Sequence, residues 1–223
     1  MNKNSLQLSL FVLLGLSSGL FAQERHGHGD ANAHMNQAPF ESLVASFDSV
    51  ERAAWQKPDE VIAALGDLAG KTVMDIGSGT GYFSFRLVAA GANVICADVD
   101  ERFLAHIAAR KTELGLTDEQ MELRKVPFDS SLLSEAEADL VIIVDTYHHI
   151  QNREAYFAEV LAGLKPGGRL VVVDFFKRDQ PVGPPTEMKL DSATIVEELR
   201  DAGFEELEVN EDLLPYQYII FAS

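Results

Sequence analysis

Val73-Met-Asp-Ile-Gly-Ser-Gly-Thr-Gly-Tyr-Phe83 runs from a short apolar strand pattern into three glycines spaced two apart, Gly77, Gly79 and Gly81, and then into a helical pattern. Glycine at such a place allows a sharp turn and lets a ligand approach main-chain N–H groups closely. A strand feeding this kind of turn and then a helix is the opening unit of an open α/β sheet, and the first such turn is where nucleotide-like ligands bind. A dinucleotide fingerprint needs its third glycine at position 82, but that position is Tyr82. The stretch therefore departs from the nicotinamide pattern while keeping the ligand-cradling geometry.

Downstream of the turn, strand and helix patterns alternate. Strands are expected at Asn93–Asp98, Met121–Val126, Leu140–Val144 and Leu170–Val173, and helices at Thr80–Ala90, Glu101–Leu114, Arg153–Leu164 and Ser192–Ala202. Leu140–Val144 and Leu170–Val173 contain no polar residue, as a strand buried on both faces of a parallel sheet requires. Pro166-Gly-Gly168 reads as a turn between helix and strand. Phe204–Val209 and Tyr216–Phe221, joined by the short link Asn210–Pro215, predict an antiparallel hairpin at the sheet edge. The expected fold is α/β: a Rossmann-like, doubly wound, mostly parallel seven-stranded sheet with an antiparallel last strand and helices on both faces. Upstream, Phe40 to Ala54 has helical spacing and Pro58 starts a second helix. One domain is expected over 40–223, with N-terminal helices at 40–69 and the core at 70–223.

The N-terminus reads differently. Lys3 is followed by an uncharged apolar run, Leu6 to Ala22, and then by Gln23, Glu24 and Arg25. This is the pattern of a secretory signal peptide over 1–22, with an uncleaved membrane anchor as the other export reading. Either places the folded domain outside the cytoplasm, in the periplasm or secreted. Residues 23–39 read as a polar linker containing His26, His28, His34 and Met35, whose spacing matches no rigid metal site; no metal centre is expected. The single cysteine, Cys96, rules out an internal disulfide and lies in an expected strand as a buried thiol. A formal net charge of −17 over 223 residues repels phosphate backbones and argues against nucleic-acid partners.

Four stretches together resemble the class I S-adenosylmethionine-dependent methyltransferases. They are Val-Met-Asp-Ile-Gly-Ser-Gly-Thr-Gly (73–81), Cys-Ala-Asp-Val-Asp (96–100), Ala-Asp-Leu-Val-Ile-Ile-Val-Asp-Thr-Tyr-His-His (138–149) and Leu-Lys-Pro-Gly-Gly-Arg-Leu-Val-Val-Val-Asp (164–174). The resemblance implies S-adenosyl-L-methionine as cofactor. It implies that Asp75 with Gly77, Ser78, Gly79, Thr80 and Gly81 holds the methionine part, that Asp98 takes the ribose, and that Val99 packs on the adenine. Phe128 and Asp129 are the matching positions for a contact to the adenine amino group. Asp145 ends the fourth strand, next to where the methyl group should sit. His148 is the candidate base, with Tyr147 or Asp145 orienting the substrate and His149 as a second histidine. Trp55 and Phe47 either cap the pocket or pack in the core, and the loop 177–190 borders the substrate.

The expected function is methyl transfer from S-adenosylmethionine to a small-molecule acceptor by in-line displacement, in which positioning carries much of the rate. No Asn-Pro-Pro-Tyr-like run follows Val144, which argues against amino methylation of bases or glutamine. Two other readings stand beside it: an exported, non-catalytic binding protein for a nucleoside-like ligand, and a nicotinamide oxidoreductase, which Tyr82 disfavours.

Overall fold

The computed structural model describes residues 38–223. The signal-peptide and most of the linker expectations therefore lie outside the described residues. Three short helices come first, α1 (Phe40–Phe47), α2 (Val50–Gln56) and α3 (Pro58–Ala64). The alternating part follows: β1 (Thr72–Ile76), α4 (Ser84–Ala89), β2 (Asn93–Asp98), α5 (Glu101–Glu113), β3 (Met121–Lys125), β4 (Ala138–Val144), α6 (Arg153–Gly163), β5 (Leu164–Phe175), α7 (Ser192–Asp201), β6 (Leu207–Asn210) and β7 (Gln217–Ala222).

The seven strands form one sheet in the order β3-β2-β1-β4-β5-β7-β6. β1 pairs in parallel with β2 on one side and β4 on the other, so the order in which strands are added reverses at β1. A crevice opens at the carboxyl ends of the strands at such a point. β7 runs antiparallel to both β5 and β6 and closes the sheet as the expected hairpin. Side chains alternate along each strand, so Met74 and Ile76 face one layer while Val73 faces the other. The first layer packs on Tyr156, Phe157 and Val160 of α6 and on Ile195 and Leu199 of α7. The second packs on α3, α4 and α5 through Val61, Leu87 and Ile107. Cys96 sits fully buried in β2, and burial pushes its thiol up to about 12, the behaviour of an inert core residue.

Three expectations are corrected locally. The helix expected over 40–54 breaks at Asp48 and Ser49, where Ser49 turns extended (φ −61°, ψ 141°). The Asp48 carboxylate is used elsewhere: it accepts from the Thr80 hydroxyl at 2.7 Å. The helix expected from Thr80 begins at Ser84, because Gly77, Gly79 and Gly81 all take positive φ (73°, 53° and 79°) and wind the preceding residues into turns. Pro166-Gly-Gly168 is a bulge inside β5: Leu164 already pairs with Ala138, and the register shifts before Arg169 pairs with Leu140. Gly168 is needed there, since a Cβ would meet the Asp139 carbonyl at 3.1 Å.

Candidate active site

A cavity of about 520 Å³ fills the crevice at the carboxyl ends of β1, β2 and β4 and is roofed by α1 and α2. The glycine turn forms its floor. A Cβ on Gly77 would fall on the Thr146 side chain, and one on Gly79 would meet the Phe47 ring at 3.4 Å. Side chains at these positions would fill the cradle. Gly81 lies behind the cavity wall, where a Cβ would meet Phe85 at 2.7 Å, so its part is to let α4 pack close to the turn. Ser78 and Tyr82 line the cavity, and their buried hydroxyls have no hydrogen-bond partner. Orphaned buried hydroxyls are rare and call for a polar ligand.

Two acids flank the turn. Asp98 lines the cavity and accepts from the Gly79 and Asp100 N–H groups at 2.8 Å each. Burial raises its pKa, against the pull of these amides. Each oxygen keeps a second lone pair for a hydroxyl donor. Asp100 is the N-cap of α5, accepting from Arg102 N at 2.9 Å, so the capping role falls to Asp100 and not to Asp98. Asp75 is buried at the end of β1 with the Ser84 hydroxyl at 2.6 Å, and burial raises its pKa to about 6. Thr80 is turned to Asp48 and thereby pins the turn to α1.

Asp145 follows β4 into the cavity lining. Its φ is +57°, a conformation that Asp tolerates better than most residues. One oxygen accepts from Arg52 at 3.1 Å and Gln56 at 3.0 Å, and the other from Gln217. Burial pushes its carboxyl above the ordinary range while Arg52 holds it down. The carboxylate thus ties α2 to β4 and β7, and its partly exposed side chain also lines the cavity. Arg52 also stacks 4.3 Å from the Tyr82 ring centroid.

The two expected catalytic side chains on the turn after β4 separate. His148 lines the cavity, with Nδ1 3.1 Å from Asp174 at the end of β5. Burial disfavours its imidazolium, but the charges of Asp174 and Asp145 carry its pKa above the ordinary value. Tyr147 is fully buried away from the cavity. Its ring stacks on Phe157 at 4.7 Å, and its hydroxyl donates to Glu198 at 3.0 Å. Its expected substrate contact is therefore corrected to a packing role. His149 lines the cavity with its ring 4.3 Å from that of His148.

At the other end Val99 and Phe128 line the cavity, whereas Asp129 is exposed and outside the lining, because the chain turns outward after Val126. The flat apolar surface there comes from residues not singled out by sequence: Leu43 and Phe103, with Phe47 stacked on Phe103 at 5.5 Å. Trp55 and Phe47 both line the cavity while packing on Phe175 and Phe103. Asp174, Gln56 and Gln217 were also missed. The available signal for Asp174 was its place at the carboxyl end of a wholly apolar strand. Among the described residues no group of three or more ligating side chains could hold a metal ion.

Residues 74–172 match the family described as a methyltransferase domain. A tRNA U34 carboxymethyltransferase of Klebsiella pneumoniae is 30% identical over 138 residues, which is 61% of this chain and 40% of that protein. A demethylmenaquinone methyltransferase of Tropheryma whipplei is 28% identical over 143 residues, 64% of this chain and 56% of that protein. The chain thus spans about half the length of these relatives. A SAM-dependent methyltransferase from Aquifex aeolicus shares the fold with a TM-score of 0.75 at 23% identity, over 83% of this chain and 98% of that one. The residues fit S-adenosyl-L-methionine: a cradle without side chains, two orphaned hydroxyls, the cavity-lining carboxylate of Asp98, and a cavity within the roughly 300–1,000 Å³ of small-ligand sites.

Proposed function

We propose, from a methyltransferase domain at residues 74–172 whose cofactor is S-adenosyl-L-methionine, that this chain methylates a small molecule. The observation that carries the acceptor reading is the roof. Helices α1 and α2 bring Phe47, Arg52 and Trp55 to the crevice, and the resulting cavity of about 520 Å³ is of a size that suits a cofactor with a small partner. The cofactor supplies a methyl group on a sulfonium, an electrophile that an acceptor lone pair displaces in line.

The chain's own part is positioning and proton handling. Asp98 and the glycine turn hold the ribose and methionine regions, and the hydroxyls of Ser78 and Tyr82 complete the polar contacts. Phe47 and Phe103 exclude water from the apolar end. His148, backed by Asp174, exchanges a proton with the acceptor through Nε2, because Nδ1 is engaged. The apolar run at 6–22 supports placement of the domain outside the cytoplasm. An N-terminal mass beginning after Ala22 in the native host is the expected result, and a soluble cytoplasmic chain retaining Met1 overturns that placement.

Calorimetry of the protein with S-adenosylhomocysteine and S-adenosylmethionine tests the cofactor site. Asp98→Ala should weaken both by about 10- to 100-fold, the range of a lost charged hydrogen bond. No binding to the wild type near millimolar concentration, or wild-type affinity in the variant, counts against the assignment.

A further inference from the structure

The cavity has a second end, built by the carboxyl end of β5, whose chemistry differs from the polar turn. Trp55 lies 5.6 Å from the Phe175 ring, and His148 is bonded to the neighbouring Asp174. Gly183 and Pro184 line the same cavity, with Gly183 so close to Phe175 that a Cβ would meet its ring at 2.6 Å. This end is lined by the aromatic rings of Trp55 and Phe175 and carries the buried His148–Asp174 pair.

The charges there are already committed. Asp145 is ion-paired with Arg52 and accepts from Gln56 and Gln217. Asp174 is fully buried, and its second oxygen accepts from the Phe175 N–H at 2.8 Å. An ammonium acceptor therefore finds both carboxylates at this end already paired, Asp145 with Arg52 and Asp174 with His148, and a carboxylic acid would enter as an anion against a net charge of −17. A phenol-type hydroxyl, with an ordinary pKa of about 10, enters neutral and needs a base near neutral pH. A thiol, nearer 8.5, is partly ionised unaided.

Resting on the methyl-transfer reading of this site, we infer that the acceptor is a flat aromatic or enolic molecule whose methylated atom is a weakly acidic hydroxyl oxygen. Its proton passes to Nε2 of His148, and Asp174 is the positioning residue that holds the ring. The O–H bond breaks as the N–H bond forms. The electron pair stays on oxygen as the nucleophile, and the new positive charge on the imidazole lies 3.1 Å from the Asp174 carboxylate.

The probe is 4-nitrophenol, whose anion absorbs visible light and whose neutral form does not. It is titrated into the full chain saturated with S-adenosylhomocysteine. The bound probe should show an anion-to-neutral ratio about tenfold above that of free probe at the same pH, equivalent to one pKa unit. His148→Gln should lose this shift while still binding S-adenosylhomocysteine, and Asp174→Asn should lose most of it. A purely structural role for Asp174 would leave the bound spectrum unchanged. A wild-type complex that leaves the probe neutral, a shift that persists in His148→Gln, or tighter binding of benzylamine than of the phenol overturns the inference while the methyl-transfer reading stands. Failure to bind S-adenosylhomocysteine takes down both.

Discussion

Asp75 is held where a carboxylate is at a disadvantage. It is buried at the end of β1, and its pKa rises from 3.8 to about 6. An acid whose pKa rises on folding binds more protons folded than unfolded between the two values. Stability therefore falls as pH rises through that interval, and above about pH 6 the full cost of about 3 kcal/mol stands. Asparagine can still accept from Ser84 without the charge. Asp75→Asn should therefore raise stability by about 1–3 kcal/mol at pH 7.5, with the gain shrinking toward pH 4. Thermal unfolding across pH checks this, and a gain independent of pH would refute the burial argument. The residue scale also shows what local sequence can carry. Gly77 and Gly79 were recognisable because a side chain cannot occupy those turns, a property of the position itself. Tyr147 and His148 are chain neighbours of opposite fate, one packed and one facing the cavity, and no local pattern separates them.

At the scale of elements, α2 depends on Asp145. A seven-residue helix is too short to be stable alone, so its order comes from tertiary contacts. Arg52 and Gln56 supply them, reaching a carboxylate held in place by the positive φ of residue 145. Asp145→Asn keeps that backbone conformation and removes the charge. Amide exchange over 50–64 should accelerate about tenfold, as expected for losing about 1.4 kcal/mol of charged hydrogen bonding, while β1, β4 and β5 stay protected. Unchanged exchange in α2 would show that the roof is held by its apolar contacts instead. Strands β4 and β5 were legible from their unbroken apolar runs, because burial on both faces leaves a mark in every residue. The break at Asp48–Ser49 was not, since the Thr80 hydroxyl that draws Asp48 out of the helix lies 32 positions away.

At the scale of the whole molecule, net charge and topology act together. With 35 acidic against 18 basic side chains, the net charge disfavours contact with phosphate backbones. Although a relative of this domain is named for tRNA, the full chain should show no tRNA binding at physiological salt while binding S-adenosylhomocysteine. A gel-shift or fluorescence titration yielding micromolar tRNA affinity would overturn the small-molecule reading. Among the described residues no helix is long and apolar enough to cross a membrane.

The sequence by itself determined the sheet, the glycine turn, the acid at Asp98 and the cofactor class, because each is written in adjacent residues whose period or steric need is local. The tertiary structure alone decided which groups meet in the crevice. Arg52 and Asp145 are 93 positions apart, Gln217 and Asp145 72, and His148 and Asp174 26. Such partners share no spacing. They are brought together by the strand order and by the roof of α1 and α2, and that convergence gives Asp145 its anchoring donors and His148 its carboxylate.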